Sequence, residues 1–228
     1  RRLFIPSPGL RMVGADLSGI ELRMLAHYLA RYDGGRYAKL LLEDDIHQIN
    51  ADKIGISRRQ VKTVTYAFLY GAGDEKIGHS YDPQLSTTAA KKKGKEIRSA
   101  YVDAVDGLDA LLKAIKQAAE RGFIKSIDGR KINVDSPHKA LNYCLQSGAG
   151  VIAKRWMVIN QETMREAQIC ASQLGFIHDE LQFECAPEHV GDLQTSLVYS
   201  ATAAGEYYNM RIRIDAEATN GNNWSETH

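Results

Sequence analysis

An α+β fold, with a helical subdomain inserted into a sheet-based one, follows from where the periodicity changes along the 228 residues. Strand-like text lies near the two ends, in RMVGADLSG at 11–19, LGFIHDELQFEC at 174–185 and MRIRI at 210–214. Four helical stretches fill the middle.

RMVGADLSG leads small and apolar residues into an acid and then Ser-Gly, which predicts a short buried strand ending at Asp16. Leu22, Leu25, Ala26 and Leu29 then recur at threes and fours, so a helix follows at once and stops near the Asp-Gly-Gly of 33–35. A second helix runs through SRRQVKTVTYAFLYGAG, 57–73, and ends at Gly71 and Gly73. Residues 74–90, with Pro83 and a Ser/Thr cluster, read as loop. Leu108, Leu111, Leu112, Ile115 and Ala119 form a third amphipathic stripe that stops at Gly122. FIKSIDGRKINV, 123–134, alternates around Asp-Gly and predicts a small hairpin. Ser136-Pro137 supplies an N-cap and a first-turn proline for a helix reaching about residue 166, with a small, polar QSGAG in its middle. The segment 174–185 reads as strand, tight turn and returning strand, with His178, Asp179 and Glu180 at the tip.

The chain is long enough to bury a sizeable core. Its 29 Lys plus Arg balance 28 Asp plus Glu, so any basic footprint for nucleic acid must be local. No apolar run approaches the roughly 20 residues of a membrane span and no signal peptide opens the chain, so a cytosolic location is expected. Cys144, Cys170 and Cys185 form no CxxC pair and are expected as reduced packing residues.

Two features carry chemistry. Stepping by four from Arg58 gives Lys62, Tyr66 and Tyr70, one slanting row about 18 Å long on a single helix face. A solvated row is the ordinary reading of cations on a helix, but two tyrosines beside small Ala67 and Gly71 suit a nucleotide lying along the face. Arg58 and Lys62 would meet its phosphates, Tyr66 its sugar and base, and Tyr70 the neighbouring bases by stacking. The second feature is a pair of acids: Asp16 ends a strand and Asp179 tips a hairpin. Alone, each could be a turn or a cap. A sheet pairing these elements would bring both carboxylates together as a site for hard divalent cations such as magnesium, completed by substrate phosphates.

DLSGIELR at 16–23, RRQVKTVTYAFLYG at 58–71 and HDE at 178–180 resemble motifs A, B and C of family A DNA polymerases, in the right order. DIH at 45–47, IDGR at 127–130 and NYCLQSGAG at 142–150 fall where that family has counterparts, and SGIELR, FLYGAGDEKIG and the closing NW...H look most like its phage replicative branch. The resemblance implies a right-hand palm, an antiparallel sheet over residues 1–36 and 136–228, with helical fingers inserted over 37–135. It also implies template-directed transfer of deoxynucleotides to a primer 3′-hydroxyl with two magnesium ions, manganese being a substitute.

Carried over by motif, Asp16, Asp179 and the carbonyl of Leu17 are implied as metal ligands, and Glu180 as a supporting residue. Arg58 and His47 would bind the outer phosphates and Lys62 the developing charge. Glu21 matches the residue that excludes ribonucleotides, and Tyr66 implies tolerance of dideoxynucleotides. Gly71, Asn142, Gln146, His138, His178 and Arg1 match DNA-contacting positions. The expected partners are primer–template DNA and deoxynucleoside triphosphates. Thumb and exonuclease domain are expected to be absent from these residues, the chain being either a fragment of a polymerase or one product of a split gene, and the further partner is either a separate polypeptide supplying those domains or a processivity factor. The run KKKGK, 91–95, reads as a solvated face with a possible role in gripping DNA. A single-subunit RNA polymerase would end motif C in Ser rather than Glu, which disfavours that reading. A non-catalytic DNA-binding part of a polymerase remains the alternative.

Overall fold

A computed structural model describes all 228 residues. In chain order its elements are β1 (Arg11–Leu17), α1 (Ile20–Asp33), α2 (Arg36–Glu43), α3 (Ile46–Ile54), α4 (Arg58–Leu69), α5 (Asp74–Tyr81), α6 (Thr87–Ala104), α7 (Leu108–Ala119), β2 (Phe123–Lys125), β3 (Lys131–Asn133), α8 (Ala140–Glu166), β4 (Ala171–Ile177), β5 (Glu180–Cys185), α9 (Val190–Tyr207) and β6 (Ala216–Gly221). The chain divides into two compact units, residues 1–23 with 148–228, and residues 24–147.

The first unit is built on an antiparallel sheet in the order β4-β5-β1-β6. Alternation along β1 and β5 sorts their side chains onto two faces. Val13, Leu17, Leu181 and Phe183 point to the face where α9 buries Leu193, Leu197, Ala201 and Ala204. Trp156, fully buried, donates its indole N–H to the Leu197 carbonyl at 2.8 Å. Each such Leu or Phe contributes roughly 1.5–3 kcal/mol of burial. The opposite face holds Asp16, Glu180 and Gln182.

In the second unit α4 buries Val61, Val64, Thr65, Phe68 and Leu69. A capping box starts it: the Ser57 hydroxyl accepts from Gln60 N while the Gln60 side chain accepts from Ser57 N. Val64, Ala72, Ile77 and Ile97 form one core cluster. Ala119, Ile124, Ala140 and Cys144 form another beneath the β2–β3 hairpin.

Four expectations need correction. Residues 74–90 are not loop. Asp74 and Glu75 occupy the first turn of α5, where acids favour the helix dipole, and Ser86 caps α6 by accepting from Ala89 N. Pro83 falls in the connection between them. Residues 210–214 form no strand: Ile212 and Ile214 are buried as the alternation requires, but the backbone that pairs with β1 is that of β6, 216–221. Ser136 makes no side-chain cap, because a 3-10 turn at Pro137–Lys139 precedes α8. Cys170 is exposed, while Cys144 and Cys185 are buried; all three are free thiols. Helix α9 was not anticipated, since Ser196, Ser200 and the small residues around them dilute its apolar stripe. No helix is long and apolar enough to cross a membrane.

Candidate active site

β1 and β5 are neighbours, and their register sets Asp16 directly opposite Glu180. The Leu17 amide donates to the Asp179 carbonyl at 3.1 Å, which locks the end of β1 to the hairpin tip. The tip needs a left-handed residue, and His178 takes it at φ 58°. Asp16 and Asp179 therefore converge although 163 positions separate them (179 − 16). On its other side Asp16 faces Glu217 of β6. Sequence reasoning missed that third flanking acid, because it placed the strand at 210–214.

Carboxylates crowded this way resist ionisation. Asp16, although exposed as a residue, has its carboxyl pushed up to about 6 by partial desolvation first, then by Asp179, Glu180, Glu21 and Glu217. Asp179 is raised as well, again by burial first, with Glu21 and Glu180 adding to it. Asp16 and Asp179 thus offer carboxylate oxygens whose ionisation burial and neighbouring acids disfavour, and no group of three or more His, Cys, Asp or Glu side chains is arranged to hold a metal by itself. Hard divalent cations that tolerate few protein carboxylates and keep waters fit such a pair.

Glu180 is in a different position, being buried and fully engaged. Gln182 Nε2 at 2.6 Å and the Trp224 indole N–H both donate to its Oε1, and His228 Nδ1 lies 2.9 Å from its Oε2. Thr227 and Gln182 pair at 2.8 Å beside it. The chain after β6 thus folds back to fix the residue next to Asp179. Trp224 and His228 gave little sequence signal as parts of a polar tail. Arg1 is exposed and stacks over the Trp224 ring at 5.2 Å.

In the second unit, the row on α4 faces away from that helix's buried side: Arg58, Lys62 and Tyr70 are exposed and Tyr66 half-buried. Asp45 ties the row to α3. Its Oδ1 accepts from His47 N and Gln48 N at 3.1 Å each, capping that helix, and its Oδ2 pairs with Arg58 Nε at 2.6 Å. Both partners are about half exposed, and such pairs are worth about 0.2–1 kcal/mol, so an anionic ligand can draw Arg58 away. His47 is buried with an unpartnered Nδ1, and its ring centre lies 6.2 Å from that of Tyr66. Burial lowers its pKa, with Lys62 and Arg58 adding and Asp45 opposing. At neutral pH it is a neutral hydrogen-bonding group.

Helix α4 ends where Gly71 takes a φ of 73°, close to Asn142 Cβ and the His138 carbonyl. Asn142 Nδ2 donates to the Leu69 carbonyl at 3.2 Å, leaving its second N–H and its carbonyl available. Gln146 is exposed one turn further along α8, and His138 is exposed just before that helix. The structure thus gathers Asp16, Leu17, Glu21, His178, Asp179 and Glu180 in one unit. The other unit holds His47, Arg58, Lys62, Tyr66, Tyr70, Gly71, His138, Asn142 and Gln146.

A sequence model of DNA polymerase family A matches residues 1–226. The chain is 36% identical over 238 aligned positions to a DNA-directed DNA polymerase of Enterobacteria phage T3, covering 94% of this chain and 33% of that protein. It is 35% identical to that of Escherichia phage T7, with the same coverage. The chain therefore spans about a third of the length of these relatives. Among solved structures, the POL domain of Pol1 from M. smegmatis, in complex with DNA primer-template and dNTP, aligns with a TM-score of 0.82 at 23% identity. That alignment covers 100% of this chain and 42% of the other, and at such identity it speaks for the fold alone.

Proposed function

The chain belongs to DNA polymerase family A, and from that premise we propose that it supports template-directed DNA synthesis by two-metal nucleotidyl transfer. The observation that carries this reading is the convergence of Asp16 and Asp179 where β1 meets the hairpin tip, with burial and neighbouring acids holding both carboxyls above the usual carboxylate range. In this reading residues 1–36 and 136–228 supply the palm and residues 37–135 the fingers, limits that fall inside the second compact unit, 24–147, rather than at its ends.

Asp16, Asp179 and the Leu17 carbonyl would hold two magnesium ions. When bound, magnesium makes the primer 3′-hydroxyl more nucleophilic and neutralises charge on the leaving pyrophosphate. The remaining roles fall to the chain's own side chains. Arg58 gives up Asp45 for the outer phosphates, and His47 donates to them as a neutral imidazole, which its unpartnered Nδ1 supports. Lys62 stabilises the charge that develops as the primer oxygen bonds to the α-phosphorus and the bridge to pyrophosphate breaks. Glu21 fills the space beside the sugar where a 2′-hydroxyl would sit, and the Tyr66 hydroxyl meets the sugar 3′ position. Tyr70 and Gly71 stack and turn the template, while His138, His178 and Arg1 steady the strands. Asn142 and Gln146 donate to minor-groove acceptors that every base pair presents, checking geometry without reading sequence. Glu180, held by Trp224, His228 and Gln182, keeps the hairpin tip in place. Duplex grip beyond these residues would come from sequence outside them or from a separate polypeptide.

Primer extension with magnesium tests the proposal, with Asp179→Asn as control. Incorporation of deoxynucleotides at low processivity, abolished by that change, is expected. Binding of primer–template with no incorporation, at low salt and high protein, would overturn the catalytic reading in favour of a DNA-binding part of a polymerase.

A further inference from the structure

Three buried hydroxyls converge beneath the α4 row, within the second unit. Tyr37 on α2 is 5% exposed, Thr65 on α4 1% and Tyr101 on α6 0%. Tyr101 is the centre of the group. Its ring packs on Phe68 with centres 5.1 Å apart, and its oxygen is placed to accept from Tyr37 and from Thr65. None of the three hydroxyls has a partner at full hydrogen-bonding geometry, so the bonds among them are not closed in this conformation. Packing alone gives no reason for them. Val61, Val64, Phe68 and Leu69 are buried on the same side of α4, and a phenylalanine and a valine in the places of Tyr101 and Thr65 would keep that side apolar with no polar atom to satisfy.

A count of donors and acceptors shows what the group needs. A hydroxyl has one proton to give and two lone pairs to receive with. Tyr101 engages both lone pairs with Tyr37 and Thr65, and its own proton is left over. In a buried place of low dielectric that proton requires an oxygen. Tyr66 offers one. It follows Thr65 in the chain and is half-buried, and its phenol acts on both buried tyrosines: burial holds Tyr37 and Tyr101 above the ordinary tyrosine range, and Tyr66 raises both further. Its ring centre lies 6.2 Å from that of His47, so Tyr66 belongs to the exposed row as well as to the hydroxyl group. An oxygen that accepts from within directs its own proton outward and donates it more strongly.

We infer that Tyr37, Thr65 and Tyr101 form a hydroxyl relay that donates to the Tyr66 oxygen, so that Tyr101 is a positioning residue for Tyr66 and for its meeting with the sugar 3′ position of an incoming nucleotide. The relay depends on the fold alone; its effect on nucleotide choice rests on the polymerase reading. Two measurements on the full chain test these parts separately. Urea unfolding of the wild type, Tyr101→Phe, Tyr66→Phe and the double variant gives the coupling between the two phenols, expected at about three- to tenfold in the unfolding equilibrium constant, the worth of one hydrogen bond. Competitive primer extension gives the ratio of deoxynucleotide to dideoxynucleotide use, from which a general loss of folding or activity cancels. Tyr101→Phe should shift that ratio against dideoxynucleotides by about three- to tenfold, and by less than about twofold once Tyr66→Phe is present. Thr65→Val should act as Tyr101→Phe does, and Thr65→Ser, which keeps the hydroxyl, should hold the wild-type ratio. No coupling in unfolding, an unchanged ratio in Tyr101→Phe, an undiminished shift in the Tyr66→Phe background, or equal shifts from Thr65→Val and Thr65→Ser would each overturn the inference. Coupling in unfolding with no primer extension by the wild type would overturn the polymerase reading alone.

Discussion

Asp16→Asn should make the protein more stable while disabling the site, provided divalent cations are absent. The carboxyl titrates near 6 in the fold against 3.8 when unperturbed, and at 1.36 kcal/mol per unit that shift corresponds to about 3 kcal/mol. Asp16 is solvent-exposed as a residue, so screening reduces the usable figure to about 1 kcal/mol. The sign follows from linkage. Below the unfolded value the group is neutral in both states and costs nothing. Stability is lost as pH rises from 3.8 through about 6, because the unfolded chain ionises first. Asparagine is neutral throughout, so its advantage is fully present above about pH 6 and falls to about a third of that at pH 4.5. Thermal melts in chelator at pH 8 should show a rise of about 2–4 °C for a chain of this size. Added magnesium should narrow or reverse the difference, since only the wild type gains ligand-linked stability. An equal or lower melting temperature for the variant at pH 8, or a gap independent of pH, would refute the electrostatic account of this cluster.

Lys62→Ala should lower single-nucleotide turnover by about 10²–10³-fold, with primer–template affinity changed less than about twofold, as read by rapid-quench kinetics and anisotropy; equal loss of both would contradict its phosphate role. Trp224→Phe keeps the aromatic contact with Phe4 but removes a donor from buried Glu180, and should cost about 1.5–3 kcal/mol in urea unfolding. Tyr66→Phe should leave deoxynucleotide incorporation nearly intact and raise discrimination against dideoxynucleotides by about 10–100-fold, the worth of one hydrogen bond to a charged or polar partner in a desolvated site; competitive extension assays measure the ratio.

Where a local rule governs, the sequence was legible. The helix through 57–73, its glycine ending and the 174–185 hairpin depend on neighbours within a few residues, and they formed as the spacing required. Helix α9 and the pair α5 and α6 were less readable, because small residues that permit close packing look like loop text until a partner is in view. Gly78 and Gly94 are the plainest cases: in isolation they weaken a helix, and only the close crossing of α5 with α6 explains them.

The sequence by itself determined the composition of the site, with an acid after the first strand, an acid at the hairpin turn, and two cations and two tyrosines along one helical face. Tertiary structure alone decided how the acids meet. The β1–β5 and β1–β6 registers place Glu180 and Glu217 on either side of Asp16, and the chain after β6 returns to hold Glu180 through Trp224 and His228. Strand order and register arise from long-range burial rather than from nearby residues, so no local pattern encodes which distant carboxylates will share one sheet face.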